Sequence, residues 1–169
     1  MAERPPPDRA EIAIRGAAEP DLALLAGWMG EFFAHLKAAT GDPYFEGAEM
    51  PPEAERRALF AGALAAGELL LVASLDGRPC GYLLGRAEPP FVRESPIAAI
   101  GHISHCYVVP AARRRGVARR LVAAAEDRFA ARGLRWVELG YALANAEAAA
   151  TWPGMGYRPL RLVARKALA

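Results

Sequence analysis

Arg113-Arg114-Arg115-Gly116-Val117-Ala118 lies between two runs of different periodicity. Before it, Cys106-Tyr107-Val108-Val109-Pro110 closes an apolar, strand-like run that starts near Gly101. After it, residues 116–132 read as a helix. A strand, a basic glycine-containing turn and a helix start together make a phosphate site. The first N–H groups of a helix have no intrahelical partner. They face an end where the macrodipole favours negative charge. Gly116 lets the backbone approach a ligand closely, and the small Ala118 leaves room beside it. Arg113, Arg114, Arg115 and Arg119 add charge and forked donors that suit phosphate oxygens. Taken alone, the same run also reads as a basic helix start on a solvated surface, so its neighbours have to decide.

Composition narrows the choice. The chain has 169 residues, one domain's worth. It is 53% hydrophobic and 24% charged, enough to bury a core without staples. The net charge is only +2, and the arginines cluster at 113–120. That fits a local anion site better than a nucleic-acid face, so no nucleic-acid partner is expected. Cys80 and Cys106 both fall in expected strands and read as reduced core thiols, not as a disulfide or metal pair. Glu3, Arg4 and Pro5 to Pro7 do not make a secretory apolar segment. The longest apolar stretch, Leu59 to Leu75, is broken by Gly62, Gly67 and Glu68, so no membrane span is expected. These readings give a cytoplasmic protein with no metal. No fixed-period repeat is present.

Residues 1–10 read as a flexible tail and 11–169 as a single domain. Ile12 to Arg15 alternates as a first strand. Glu19-Pro20-Asp21 opens a helix whose apolar positions run from Leu22 to Leu36. Thr40-Gly41-Asp42-Pro43 ends it and starts a loop to about Pro52. A second helix runs to Ala66 and stops at Gly67. Leu69 to Ser74 and Pro79 to Arg86 form a hairpin through Asp76-Gly77. After the basic turn and its helix, Leu134 to Tyr141 reads as a strand and Ala144 to Trp152 as a short helix ending near Pro153. Tyr157 to Leu168 gives one or two final strands. The fold class is therefore α/β, mixed α+β, with six to seven strands and helices on both faces.

This order and these motifs resemble the GNAT superfamily of acyl-CoA-dependent N-acetyltransferases, from about Ile12 to Leu168. Arg113, Gly116 and Ala118 match the family's Arg/Gln-x-x-Gly-x-Gly/Ala pattern. Cys106 to Pro110 matches its apolar-Tyr-Val-x-Pro strand. Asn145, Ala148 and Gly156-Tyr157 match its Asn-x-x-Ala and closing Gly-Phe/Tyr signature. The resemblance implies a mixed, mostly antiparallel sheet, splayed between the fourth and fifth strands, with a bulge that helps to open the gap. It implies acetyl-CoA as co-substrate. Backbone groups of Cys106, Tyr107 and Val108 would hold the pantetheine arm like an added strand. Amides of Arg114, Arg115, Gly116, Val117, Ala118 and Arg119 would hold the pyrophosphate. Asn145 would touch the arm or the splayed strand, and it reads equally as a helix N-cap. The family's habit of pairing through sheet edges or helices leaves a homodimer possible.

Acetyl transfer to an amine needs a neutral amine, an oxyanion donor and a route for the thiolate. An amine with a reference pKa of about 10.4 needs a base or a desolvating pocket. A backbone N–H within Cys106–Val108 is a plausible oxyanion donor. His102 and His105 are the candidate bases, since imidazole titrates near neutrality. His102 stands where the family often has a glutamate. Either histidine also reads as a hydrogen-bonded sheet residue. Plain strand alternation puts the two on opposite faces unless a bulge intervenes. The family's usual tyrosine acid, seven residues after the asparagine, is replaced by Trp152, whose indole N–H is no proton-transfer acid. Trp152 would pack against the arm or in the core. Tyr141, Tyr107 or solvent would then protonate the thiolate, or positioning alone would suffice. Cys106 lacks the partners of a covalent nucleophile, so direct transfer is expected.

In this fold the loop after the first helix covers the acceptor. Here it carries Asp42, Tyr44, Phe45, Glu46 and Glu49, which suit a cationic amine or form a solvated acidic loop. Phe33 reads as core within reach of the pocket. The expected activity is direct transfer of acetyl from acetyl-CoA to a primary amine of a small molecule. The alternatives are a protein or peptide N-acetyltransferase, or a catalytically weak CoA-binding regulatory module, the last favoured by Trp152 and Pro153.

Overall fold

The computed structural model describes residues 10–167. Its sheet grows from a hairpin. Asp76 and Gly77 both take left-handed backbone, φ 51° and 77°, as a tight two-residue hairpin turn requires. They join β2 (Leu69–Leu75) to β3 (Arg78–Glu88). β1 (Ile12–Gly16) pairs antiparallel with β2, and β4 (Ile100–Val108) antiparallel with β3. β5 (Val137–Leu139) pairs parallel with β4, giving the order β1-β2-β3-β4-β5.

Helices cover both faces. α1 (Leu22–Thr40) and α3 (Glu53–Ala65) lie on one, with the short α2 (Pro43–Glu46) between them in sequence. α4 (Val117–Ala131) lies on the other, and α5 (Ala146–Gly154) follows β5. Alternation along β2 sorts the core. Leu71, with Leu83 and Ile103, packs with Leu121, Val122, Ala125 and Phe129 of α4. Leu70 and Val72, with Tyr82 and Tyr107, pack with Leu25, Trp28, Met29 and Phe60. Two covered faces explain why Leu69 to Ala73 of β2 reads as an unbroken apolar run. Each such side chain contributes roughly 1.5–3 kcal/mol by leaving water. Gly85 and Gly101 both leave room for the Phe129 ring. A Cβ at Gly101 would come 2.6 Å from that ring, and one at Gly85 would come 2.9 Å from His102 O and 3.0 Å from the ring.

The β3–β4 register passes from Leu84 opposite His105 to Gly85 opposite Ile103. Ser104 is thus an extra residue in β4, a bulge. It changes where the histidines go. His102 sits opposite Arg86, His105 opposite Leu84 and Tyr107 opposite Tyr82. Opposed residues share a face, so the bulge places both histidines on the α1–α3 face, where unbroken alternation would separate them.

The C-terminal part departs from the sequence reading. Among the described residues the sheet has five strands, not six or seven. The strand expected over 134–141 shrinks to Val137–Leu139. Residues 158–167 form no strand, and Leu168 lies outside the described residues, as do residues 1–9 of the expected tail. The reason is cover. Leu160, Leu162 and Val163 are 75–79% exposed, so their apolar pattern has no face to bury and nothing fixes a register. The expected 41–52 loop contains α2, started by Pro43 and capped by Asp42, which accepts the Tyr44 N–H at 2.8 Å. Among the described residues no helix is long and apolar enough to cross a membrane, and no group of three metal-ligating side chains gathers.

Candidate active site

β4 and β5 stay together for three residue pairs, Gly101–Ile103 against Val137–Leu139. Beyond them the strands part. Ser104–Val108 and Leu139–Ala142 become walls of one open cleft of about 1660 Å³. Along this stretch the β4 edge away from β3 has no strand partner among the described residues. Its peptide groups are available to an extended amide-bearing chain, as in strand addition.

The N-terminus of α4 opens into the same cleft. Gly116 is its cap, at φ 86°, with no side-chain cap hydrogen bond and no acid in the first turn. The first helical bond runs from Arg120 N–H to Gly116 O, so the amides of Val117, Ala118 and Arg119 precede the ladder. Arg114 is also left-handed, φ 60°, an uncommon state for a side-chain-bearing residue. Arg113, Arg114, Gly116, Val117, Ala118 and Arg119 line the cleft, whereas Arg115 does not. Two guanidinium groups tie the basic turn and the first turn of α4 to their surroundings. Arg113 donates to Val108 O at 3.1 Å and reaches Glu147 at 3.3 Å. Arg119 donates to Gly154 O at 2.9 Å. This corner of the cleft therefore presents backbone N–H groups first, with arginine charge around them.

His105 lies in the cleft wall, against the rings of Phe32 and Phe33 at 5.2 and 5.9 Å. Its Nδ1 is 3.2 Å from the hydroxyl of the fully buried Tyr82. Burial pushes its pKa down to about 4, because the imidazolium would lose its water. His102 is elsewhere. It does not line the cleft, and its Nδ1 is 3.4 Å from Glu88 Oε1 without making a hydrogen bond. Burial pushes the Cys106 thiol up to about 12, so it is no thiolate at neutral pH. The Tyr107 hydroxyl donates to Glu31 at 2.6 Å, and burial first and that carboxylate second raise it to about 12.

Tyr141, Asn145 and Trp152 line the opposite wall. Asn145 caps α5, accepting the Ala148 N–H at 3.1 Å. α5 ends one residue beyond Pro153. Gly156, φ 96°, donates to Pro153 O and Tyr157 N–H donates to Trp152 O. This Schellman stop brings Tyr157 onto Trp152, ring centroids 5.7 Å apart. Gly156-Tyr157 thus fixes the indole that faces the cleft. Phe33, Tyr44 and Phe45 line the outer part.

Sequence reasoning did not single out Glu31, Tyr82, His35 or Glu147. His35 and Arg113 each lie 3.3 Å from Glu147, joining α1 and the basic turn to α5. Glu31 and His35 are spaced i, i+4, so their common helix face was readable. Partners far along the chain leave no local signal.

A model of the acetyltransferase (GNAT) family matches residues 33–157, from the middle of α1 through the α5 stop. The chain belongs to this family. It is an acetyl-CoA-dependent acetyltransferase by that membership. Aminoglycoside N-acetyltransferase AAC(6')-Iy, solved in complex with CoA, superposes with a TM-score of 0.76 at 18% identity, covering 96% of this chain and 97% of that one. AAC(6')-IG from Acinetobacter haemolyticus gives 0.73 at 21%, covering 93% and 98%. An aminoglycoside acetyltransferase from an uncultured soil metagenomic sample, in complex with sisomicin, gives 0.64 at 16%, covering 94% and 95%. At these identities the likenesses show the fold. No curated protein matches the chain.

Proposed function

We propose that this GNAT acetyltransferase moves the acetyl group of acetyl-CoA directly to a primary amine of a small cationic molecule. One observation carries the reading. A single cleft joins the uncapped start of α4, the unpartnered β4 edge and an outer wall with Phe33, Tyr44, Phe45 and Asp42. The pyrophosphate lies on the amides of residues 114–119. The pantetheine arm runs along Cys106, Tyr107 and Val108, with Asn145 and Trp152 beside it. The sisomicin-bound relative is a precedent for a polycationic acceptor in this fold.

The chemistry follows from the walls. The neutral amine attacks the thioester carbonyl, and a β4 amide receives the oxyanion. The intermediate collapses with loss of the CoA thiolate. Tyr141, across the gap, is the proton source for that thiolate, since the Tyr107 hydroxyl is committed to Glu31. His105 is neutral at physiological pH and receives the amine's proton only transiently before solvent takes it. His102 stays outside this scheme. A Cys106 thiol held protonated leaves no acyl-enzyme step.

A pH profile tests the roles. His105 is unprotonated everywhere above about 4, so it sets no inflection near neutrality. The rate, measured as kcat/KM for the acceptor, is expected to rise with pH until the acceptor amine itself is deprotonated. A rate loss in His102→Gln as large as that in His105→Gln, with acetyl-CoA affinity unchanged, would return the base role to His102. The activity is tested by calorimetry of acetyl-CoA, then release of CoA thiol across a panel of diamines, amino sugars and peptide amines. Release dependent on a small cationic amine is the expected result. Release with peptide amines alone would overturn the assignment of acceptor.

A further inference from the structure

Residues 158–167 run past the cleft with no strand pairing among the described residues. Two arginines pin them. The Arg161 guanidinium carbon lies 4.2 Å from the Phe91 ring centroid. Arg165 Nη2 is 2.6 Å from both carboxylate oxygens of Asp42, and its guanidinium carbon is 5.5 Å from the Tyr44 centroid. Asp42, Tyr44, Val163 and Arg165 all line the cleft.

The second pin is a cation held between a carboxylate and an aromatic face, the pair of groups that recognises cations in general. The architecture does not need that cation. Asp42 already caps α2 through the Tyr44 N–H. The Arg165–Asp42 pair is open to water, with side chains 55% and 36% exposed, so solvent and salt weaken it. A segment without sheet hydrogen bonds lifts away readily.

We infer that Asp42 and Tyr44 form a second cation subsite for the acceptor and that Arg165 is its built-in competitor. The inference rests on the amine-acceptor reading above and narrows it to molecules with at least two ammonium groups. One group displaces the guanidinium of Arg165, and the other, deprotonated, reaches the thioester. A monoamine has nothing to exchange for Arg165 and gains nothing from the subsite.

Binding alone tests this, apart from any transfer. Hexamethonium, a dication that cannot be acetylated, is titrated calorimetrically into the full chain and its variants at low salt. Arg165→Ala is expected to tighten it by about tenfold, the scale of freeing one cation site. Arg165→Lys keeps a competing charge and should change little. Asp42→Asn, which keeps a capping residue for α2, should weaken binding in both backgrounds. Acetyl-CoA affinity should stay constant throughout. Unchanged or weaker hexamethonium binding in Arg165→Ala, or none in any variant, overturns the subsite. In turnover, Arg165→Ala should lower KM for a diamine and leave that for the matching monoamine unchanged. Failure of transfer with intact hexamethonium binding would instead count against the acetyl-transfer reading.

Discussion

Gly116→Glu is expected to weaken acetyl-CoA binding by at least about a hundredfold in a chain that still folds, because a carboxylate would occupy the anion site of α4. Two effects of the substitution must be separated. Gly116 sits at φ 86°, and a side chain there is strained by about 1–2 kcal/mol. Space is not the obstacle, since a Cβ would meet only Ile12 Cδ1, at 3.9 Å. A negative charge at this end of α4 also interacts favourably with the helix dipole, which offsets part of the strain. The fold is therefore kept while the phosphate's donors are taken. Gly116→Ala carries the strain without the charge and should lose no more than about tenfold, the equivalent of one such strain. Calorimetry of acetyl-CoA, with circular dichroism to check folding, decides the matter. Equal losses in the two variants would mean that the amides of residues 114–119 do not hold the pyrophosphate.

The proposed anion site is legible in the sequence. Arg113, Gly116 and Ala118 could be read because its parts are local: a turn, a left-handed residue and the first amides of one helix. The Asp76-Gly77 turn was equally local and equally readable. The resemblance implied a bulge in this strand, but its place at Ser104 was not readable. It depends on how β4 aligns with β3, and Gly85 and Gly101 gave no hint of the ring they serve. Its consequence reaches the chemistry, because it puts His102 and His105 on one face yet leaves only His105 in the cleft. The pKa of His105 is likewise set by burial, against Phe32 and Phe33 of α1 and Tyr82 of β3, which no spacing along the chain reports. At the C-terminus residues 157–168 read as one or two strands, but a strand forms only where a sheet edge and a covering face exist. Here the segment meets side chains, Phe91 and Asp42, and no ladder among the described residues.

The largest loss of stability is expected from Phe129→Ala, about 3–5 kcal/mol in urea unfolding. Phe129 is fully buried at the last full turn of α4. Its ring lies on bare backbone at Gly85 and Gly101, on two adjacent strands. Neither glycine has a side chain to fill the hollow, so the cavity cannot close by small shifts, which places the variant at the costly end of such substitutions. Position makes the effect functional as well. Gly85 pairs with Ile103 where the bulge begins, and Gly101 pairs with Val137 in the short β4–β5 ladder. The ring thus braces the sheet just before the strands part. Once it is lost, the three-pair ladder has little left to hold β5 against β4, and the cleft loses a wall of fixed position. Acetyl-CoA affinity should fall together with stability, even at temperatures where the variant remains folded. Phe129→Leu, which keeps part of the volume, should show a smaller version of both effects. A loss below about 1 kcal/mol in Phe129→Ala would show that the glycines, and not the ring, set the approach of α4 to the sheet. Unaltered acetyl-CoA affinity despite the expected destabilisation would show that the parting of β4 and β5 is held from the bulge itself.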